Sequence, residues 1–184
     1  MNYCNLKLHK IPKGFRGRNI VIVQLWWLIQ SIFFSSSPQF MYKWRVWLLK
    51  LFGAQIGTNV IIRPTARITY PWKLTIGDNS WIGDNVELYT LGEIVIGNDV
   101  VISQRSYLCT GSHDYKKPTF DIYAEKITIE DQAWLATDVY VAPGITIGKA
   151  AVIGARSSVF NDMPAEMICI GSPAKPIRHR LDKK

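Results

Sequence analysis

The stretch from residue 74 to residue 103, LTIGDNSWIGDNVELYTLGEIVIGNDVVIS, decides the fold. Within it an aliphatic side chain returns at every sixth position: Ile76, Ile82, Leu88 and Ile94, then, after a two-residue slip, Ile96 and Ile102. Upstream the series begins at Ile56, Ile62, Ile68 and Leu74. Downstream it passes Leu108, breaks off, and resumes at Ile129, Leu135, Val141, Ile147, Ile153 and Val159. An amphipathic helix repeats near 3.6 and a half-buried strand at 2, so neither accounts for this period. Four places after the aliphatic residue the side chain is mostly small or β-branched, as at Val60, Ala66, Ser80, Val86, Val100, Ser106, Ala133 and Ser157. Gly57, Gly77, Gly83, Gly97, Gly148 and Gly154 directly follow it, where turns are expected to need a permissive backbone. Three such hexads make one triangular coil of a parallel β-helix, each coil covering the apolar surface of the last.

The interruption runs over residues 114–126. A loop of that length in a compact solenoid is commonly functional, and Tyr115, Phe120 and Tyr123 suit an ordered one. Three segments follow: a helical N-terminus at residues 1–52, the β-helix with its loop at residues 53–171, and a basic tail at residues 172–184.

Charge separates the first segment from the rest. The chain of 184 residues has 22 Lys+Arg and 14 Asp+Glu, a net charge of +8. Residues 1–52 contain no acidic residue but carry Lys7, Lys10, Lys13, Arg16, Arg18, Lys43, Arg45 and Lys50, while charge after them is balanced. Because the excess lies in an apolar segment rather than along a groove-lining stripe, nucleic acid is not the expected partner. Residues 20–34 are almost wholly apolar yet fall short of the roughly 20 residues a membrane span needs. Gln24, Gln30, Trp26 and Trp27 spoil a signal-peptide reading. Two readings stay open: helices capping the first coil, or an amphipathic anchor on an anionic bilayer. A second, basic and Trp-rich helix is expected over residues 41–52. Cys4, Cys109 and Cys169 are odd in number and lack metal spacing, as reduced thiols of a cytoplasmic protein would be. His9, His113 and His179 are far apart in sequence, so no metal site is expected.

Residues 74–115 and 142–178, with "CTGSHDY" (109–115) and "ITIEDQAWLA" (127–136) as the most specific parts, resemble the sugar O-acetyltransferases among the hexapeptide acyltransferases. "WRVWLLKLFGAQIG" (44–57) is similar in particular to the colanic-acid biosynthesis acetyltransferases; galactoside, maltose and nodulation-factor enzymes are more distant kin. The resemblance implies a left-handed β-helix assembled as a homotrimer, with acetyl-CoA in a groove between adjacent solenoids. It also implies direct acetyl transfer to a sugar hydroxyl with a histidine base, without a metal or a covalent intermediate.

His113 is the histidine that this context marks as the base. A sugar hydroxyl is a poor nucleophile at neutral pH, and an imidazole within hydrogen-bond reach can take its proton as attack proceeds. The repeat register places Glu93 beneath His113, as an orienting or acceptor-contacting group; a backbone carbonyl would serve equally well. Asn85 and Tyr89, on the preceding coil, and Asp114 and Tyr115, at the loop entrance, are the other candidates for the acceptor. Trp134 matches a tryptophan that contacts the CoA arm in the family. An oxyanion needs a backbone donor, and the register offers residues 142–144, Ala142 and Gly144 among them. The phosphates of CoA call for cations, which Lys175, Arg178 and Arg180 supply just past the last coil. Where relatives often place a Lys in a V-T-K-D segment, this chain has Val159, Phe160, Asn161 and Asp162, which shifts the expectation toward Arg156 or the tail.

The expected function is acetyl-CoA-dependent O-acetylation of a sugar, or of a lipid-linked oligosaccharide, for surface polysaccharide at the inner face of the membrane. N-acetylation of an amino-sugar and a catalytically silent scaffold are the alternatives. A γ-type carbonic anhydrase is excluded, because it needs several histidine ligands and this solenoid has one.

Overall fold

Ile56, Ile76, Ile96, Ile129 and Ile147 stack one above another on the inner side of a five-stranded parallel sheet, the first of three faces in a computed structural model that describes residues 3–182. Residues 1–2 and 183–184, the outer ends of the first and last segments expected above, lie outside the described residues. The second face stacks Ile62, Ile82, Ile102, Leu135, Ile153 and Cys169; the third stacks Ile68, Leu88, Leu108, Val141 and Val159. All of them are buried. The sixfold period is thus one face of a solenoid of about six turns, and each buried aliphatic residue stabilises it by about 1.5–3 kcal/mol. The slips fall where the chain passes from the third face to the first. A 3₁₀ turn over Pro71–Lys73 and a turn through Thr90 and Leu91 absorb the extra residues. The strands that follow, Leu74–Ile76 and Ile94–Ile96, then bury two residues each.

The glycines after the aliphatic residues are there for space rather than for turn conformation. Positive φ belongs instead to corner residues such as Asn59 (54°), Asn79 (57°) and Asp99 (56°), of a type that tolerates the left-handed region. A Cβ on Gly77 would lie 2.7 Å from the carbonyl carbon of Gly97 on the next coil. The small fourth positions are interior as expected. Buried Ser80 donates from Oγ to the Gly97 carbonyl (2.8 Å) and accepts from the Val100 N–H (3.0 Å).

Both N-terminal helices cap the first coil. Asn19 accepts from the Ile22 N–H (3.0 Å) and starts α1 (Ile20–Ile29). Buried Trp26 donates its Nε1–H to the Ile68 carbonyl (2.8 Å), and Gln30 Oε1 accepts from the Ile68 N–H (2.8 Å). At that point the helix widens into a π-turn, Gln30–Phe34. After Pro38, α2 (Tyr42–Leu51) buries Arg45, Leu48 and Leu49. The Arg45 guanidinium donates to the carbonyls of Ile62 (2.7 Å), Pro38 (2.9 Å) and Gln39 (2.7 Å) and to Ser37 Oγ (2.8 Å). Among the described residues no helix is long and apolar enough to cross a membrane.

The structure adds detail to two of these segments. The basic tail carries a strand, Ala174–His179, which returns antiparallel to Met167–Gly171 and closes the second face. The inserted loop begins at Gly111 rather than at Asp114, because Gly111–His113 already pairs antiparallel with Ile122–Ala124 as a hairpin.

Candidate active site

His113 sits on the outgoing arm of that hairpin, with Ile122 opposite it. Its Nδ1 lies 2.9 Å from the Phe120 carbonyl oxygen, and its ring stacks on Phe120 at 4.3 Å between centroids and 9° between planes. A carbonyl only accepts, so Nδ1 carries the proton and Nε2 keeps a lone pair. Gly111, in the same arm, lies close against the buried Leu91: a Cβ there would lie 2.6 Å from Leu91 Cδ1, which would have to move.

Glu93 is not beneath His113. Tyr89 does lie in register with Cys109, but the chains then part. Thr90 and Leu91 turn back toward the first face while Gly111 opens the hairpin. Glu93 lines a small cleft with Trp72 and Lys73, where burial pushes the Lys73 ammonium down and the Glu93 carboxylate opposes it. The orienting partner of His113 is therefore a backbone carbonyl.

A second histidine joins the first from the far end of the sequence. The N-terminal arm lies across the hairpin, held by the Asn5 N–H on the Pro118 carbonyl (2.7 Å). His9 Nδ1 reaches the same Phe120 carbonyl (3.0 Å), and the rings of His9 and His113 are 5.6 Å apart. His113 opens onto a cavity of about 910 Å³, which Lys10 and Pro12 also line together with Asp114, Tyr115, Asp121 and Glu125. Nothing in the local sequence marks His9, Lys10 or Glu125. Only the fold brings them here.

Asp114 and Tyr115 thus stand in the cavity wall. Asp114 closes the loop, donating its N–H to the Asp121 carbonyl (2.8 Å) and accepting from the Lys116 N–H (3.0 Å), while Tyr115 is exposed at the rim. Tyr89 belongs to an aromatic ladder on the third face, with Tyr107 at 6.0 Å and Tyr140 5.9 Å further on. Burial, reinforced by Cys109, pushes the Tyr107 hydroxyl far above its ordinary range. Asn85 is an exposed corner residue at φ 55° whose N–H donates to Thr65 Oγ1 (2.9 Å).

The remaining candidates lie elsewhere. Trp134 projects from the second face, half-exposed, with its Nε1–H on Ser103 Oγ (3.0 Å). The Ala142 N–H is already spent on the Val159 carbonyl (2.9 Å), which removes it as an oxyanion donor. Gly144, exposed at φ 80°, backs onto the Glu125 carboxylate. Arg156 pairs with Asp138 (3.7 Å), and Arg178 donates to the Asp182 carbonyl (2.5 Å). Arg180 is tied to the carbonyls of Gln132 and Ala150 (2.9 Å each), whereas Lys175 is exposed. Two of the tail's cations therefore brace the C-terminal hairpin. Among the described residues no cluster of His, Cys, Asp and Glu could hold a metal ion, and all three cysteines are free.

The chain is 60% identical over 172 residues to a protein of Escherichia coli K12 provisionally named a colanic acid biosynthesis acetyltransferase, WcaF, covering 94% of each. It belongs to the hexapeptide-repeat acetyltransferases of that group. Solved structures agree: a hexapeptide-repeat acetyltransferase from Vibrio cholerae superposes with a TM-score of 0.79 at 25% identity, over 88% of this chain and 92% of the other. A galactoside acetyltransferase in complex with coenzyme A gives 0.80 at 25% identity, over 92% and 84%. No family model matches the sequence. In this acetyltransferase the solenoid is the scaffold, and the hairpin is the departure from it that carries a basic nitrogen to an open cavity. That arrangement can accept a proton from a bound hydroxyl or amine. Trp134, on another face, lines no part of the His113 cavity.

Proposed function

We propose that the protein transfers the acetyl group of acetyl-CoA to a sugar hydroxyl during surface polysaccharide assembly, with His113 as general base. The observation that carries this reading is the Nδ1–H to Phe120 carbonyl bond, which leaves Nε2 as an acceptor beside a cavity roomy enough for a sugar. The donor supplies the acetyl group as a thioester. His113 Nε2 takes the proton from the sugar hydroxyl as its oxygen attacks the thioester carbonyl, and returns it to the departing thiolate. Such proton transfer is worth about 10²–10⁴ in rate. Gly144, rather than Ala142, is the backbone N–H left to meet the oxyanion.

Trp134 supports a CoA site because its half-exposed indole offers a flat wall for a pantetheine arm, with Lys175 and Arg156 as cations for the phosphates. Trp134 and the His113 cavity occupy different faces of one solenoid, so a complete site calls for two copies side by side. A homotrimer, with three such grooves, is the assembly we infer. The free cysteines suit a cytoplasmic setting.

The test is thiol release from acetyl-CoA, for wild type and His113→Ala, across sugars and sugar nucleotides. Acceptor-dependent release that falls at least roughly a hundredfold in the variant supports the reading. Equal release by both removes His113 as base. A preference for amino-sugars over sugars would change the acceptor from hydroxyl to amine.

A further inference from the structure

Helix α1 is apolar on two opposite sides, and only one of them is used. Trp26 and Gln30 face the first coil at Ile68, and Val23, on the same side, packs with Tyr70 and Leu91. Val21, Leu25 and Leu28, continued by Ile32 in the π-turn, face away, since at 3.6 residues per turn all four fall within about 60° of arc. They are 71%, 47%, 55% and 49% exposed, a row of aliphatic side chains left in water. Single exposed aliphatic residues are ordinary on a protein surface, but a contiguous row marks a contact.

We propose that this face of α1 lies on the surface of an anionic lipid bilayer. The argument for lipid over a second copy of the chain is charge. Every ionic side chain in residues 1–52 is basic, and Arg18 and Lys43, which flank the uncharged segment that holds the stripe, are both exposed. A second copy would bring the same excess of positive charge, which opposes pairing of the two N-terminal segments. An anionic bilayer offers both a hydrocarbon margin for the stripe and phosphates for its surroundings, at about 1 kcal/mol per basic residue near the surface. No described helix is long and apolar enough to cross a membrane, so the contact runs along the surface. The capping face of α1 stays on the coil throughout, and the catalytic body is held at the membrane without unfolding anything.

Vesicle flotation with the full-length protein tests this. Wild type should float with vesicles containing roughly a quarter phosphatidylglycerol, lose about tenfold in partition between low and high salt, and remain in solution with phosphatidylcholine alone. The variant Val21→Gln/Leu25→Gln/Leu28→Gln should bind the anionic vesicles at least about tenfold more weakly. Its unchanged melting temperature would show that the capping face is intact. Flotation equal on neutral and anionic vesicles, or none on either, overturns the proposal. So does a triple variant that floats like wild type, or one that dissociates an oligomer while wild type fails to float, which would make the stripe a subunit contact.

Discussion

His9 and His113 converge on one acceptor. Their Nδ1 atoms stand 3.0 and 2.9 Å from the Phe120 carbonyl oxygen, and their rings are 5.6 Å apart. A carbonyl has two lone pairs and can receive both N–H groups. His9 thus shares the contact that holds the His113 tautomer, and it presses the N-terminal arm onto the hairpin.

His9 should therefore act as a positioning residue. His9→Phe keeps a ring in place but removes the donor. We expect kcat to fall roughly three- to tenfold, with KM for acetyl-CoA unchanged, because only the aim of His113 is loosened. Steady-state kinetics with both substrates varied would show it. An unchanged kcat would reduce His9 to packing.

Trp134→Ala should act on the other substrate. If the Trp134 indole forms a wall of the proposed donor groove, removing it should raise KM for acetyl-CoA on the order of tenfold and leave KM for the acceptor near its wild-type value. A rise confined to the acceptor would place Trp134 outside the CoA site.

Arg45→Lys tests the cap. One ammonium cannot span the three carbonyls and the hydroxyl that the guanidinium meets. Stability should drop by about 2–4 kcal/mol, read from urea unfolding, since buried acceptors lose their donors.

Gly111→Ala should disturb the site without unfolding the solenoid. The added Cβ would meet Leu91 Cδ1 at 2.6 Å and its Cβ and Cγ at 3.3 Å, so the buried Leu91 side chain, the hairpin arm that carries His113, or both must shift. Activity should fall by roughly tenfold or more, with a melting temperature within a few degrees of wild type. A large loss of melting temperature would show that the hairpin is part of the cooperative core.

Acid should loosen the corners. Hydrogen bonds from Thr58 hold Asp78 below its ordinary carboxylate range, and Arg105 does the same for Asp138. A carboxylate depressed in the folded state stabilises above its unfolded pKa, and that contribution is lost as pH falls through the folded value. The melting temperature should decline below about pH 4, and Asp138→Asn should show a shallower decline across the same window.

The solenoid was legible in the chain because a triangular coil has one way to bury its side chains. Ile76, Ile82 and Leu88 had to point inward, and each coil repeats the requirement. CTGSHDY singled out His113 in the sequence, and the fold sets that residue on a hairpin beside an open cavity. The Glu93 register was misread because a strict repeat ignores where strands part: Thr90 and Leu91 turn one way and Gly111 the other. The tail resisted reading for a similar reason, since antiparallel return of Ala174–His179 leaves no mark on a sixfold period.

What the sequence by itself determined is the coil, since a period of six in buried side chains is a local rule repeated down the chain. What only the tertiary structure decided is the site. His9 meets His113 through a shared carbonyl and ring contact, and Lys10 and Glu125 line the same cavity; all three come from segments distant in sequence, and no local pattern encodes such distances. The same holds for α1: its sequence is apolar all round, and which side meets the coil was settled when Trp26 and Gln30 found Ile68.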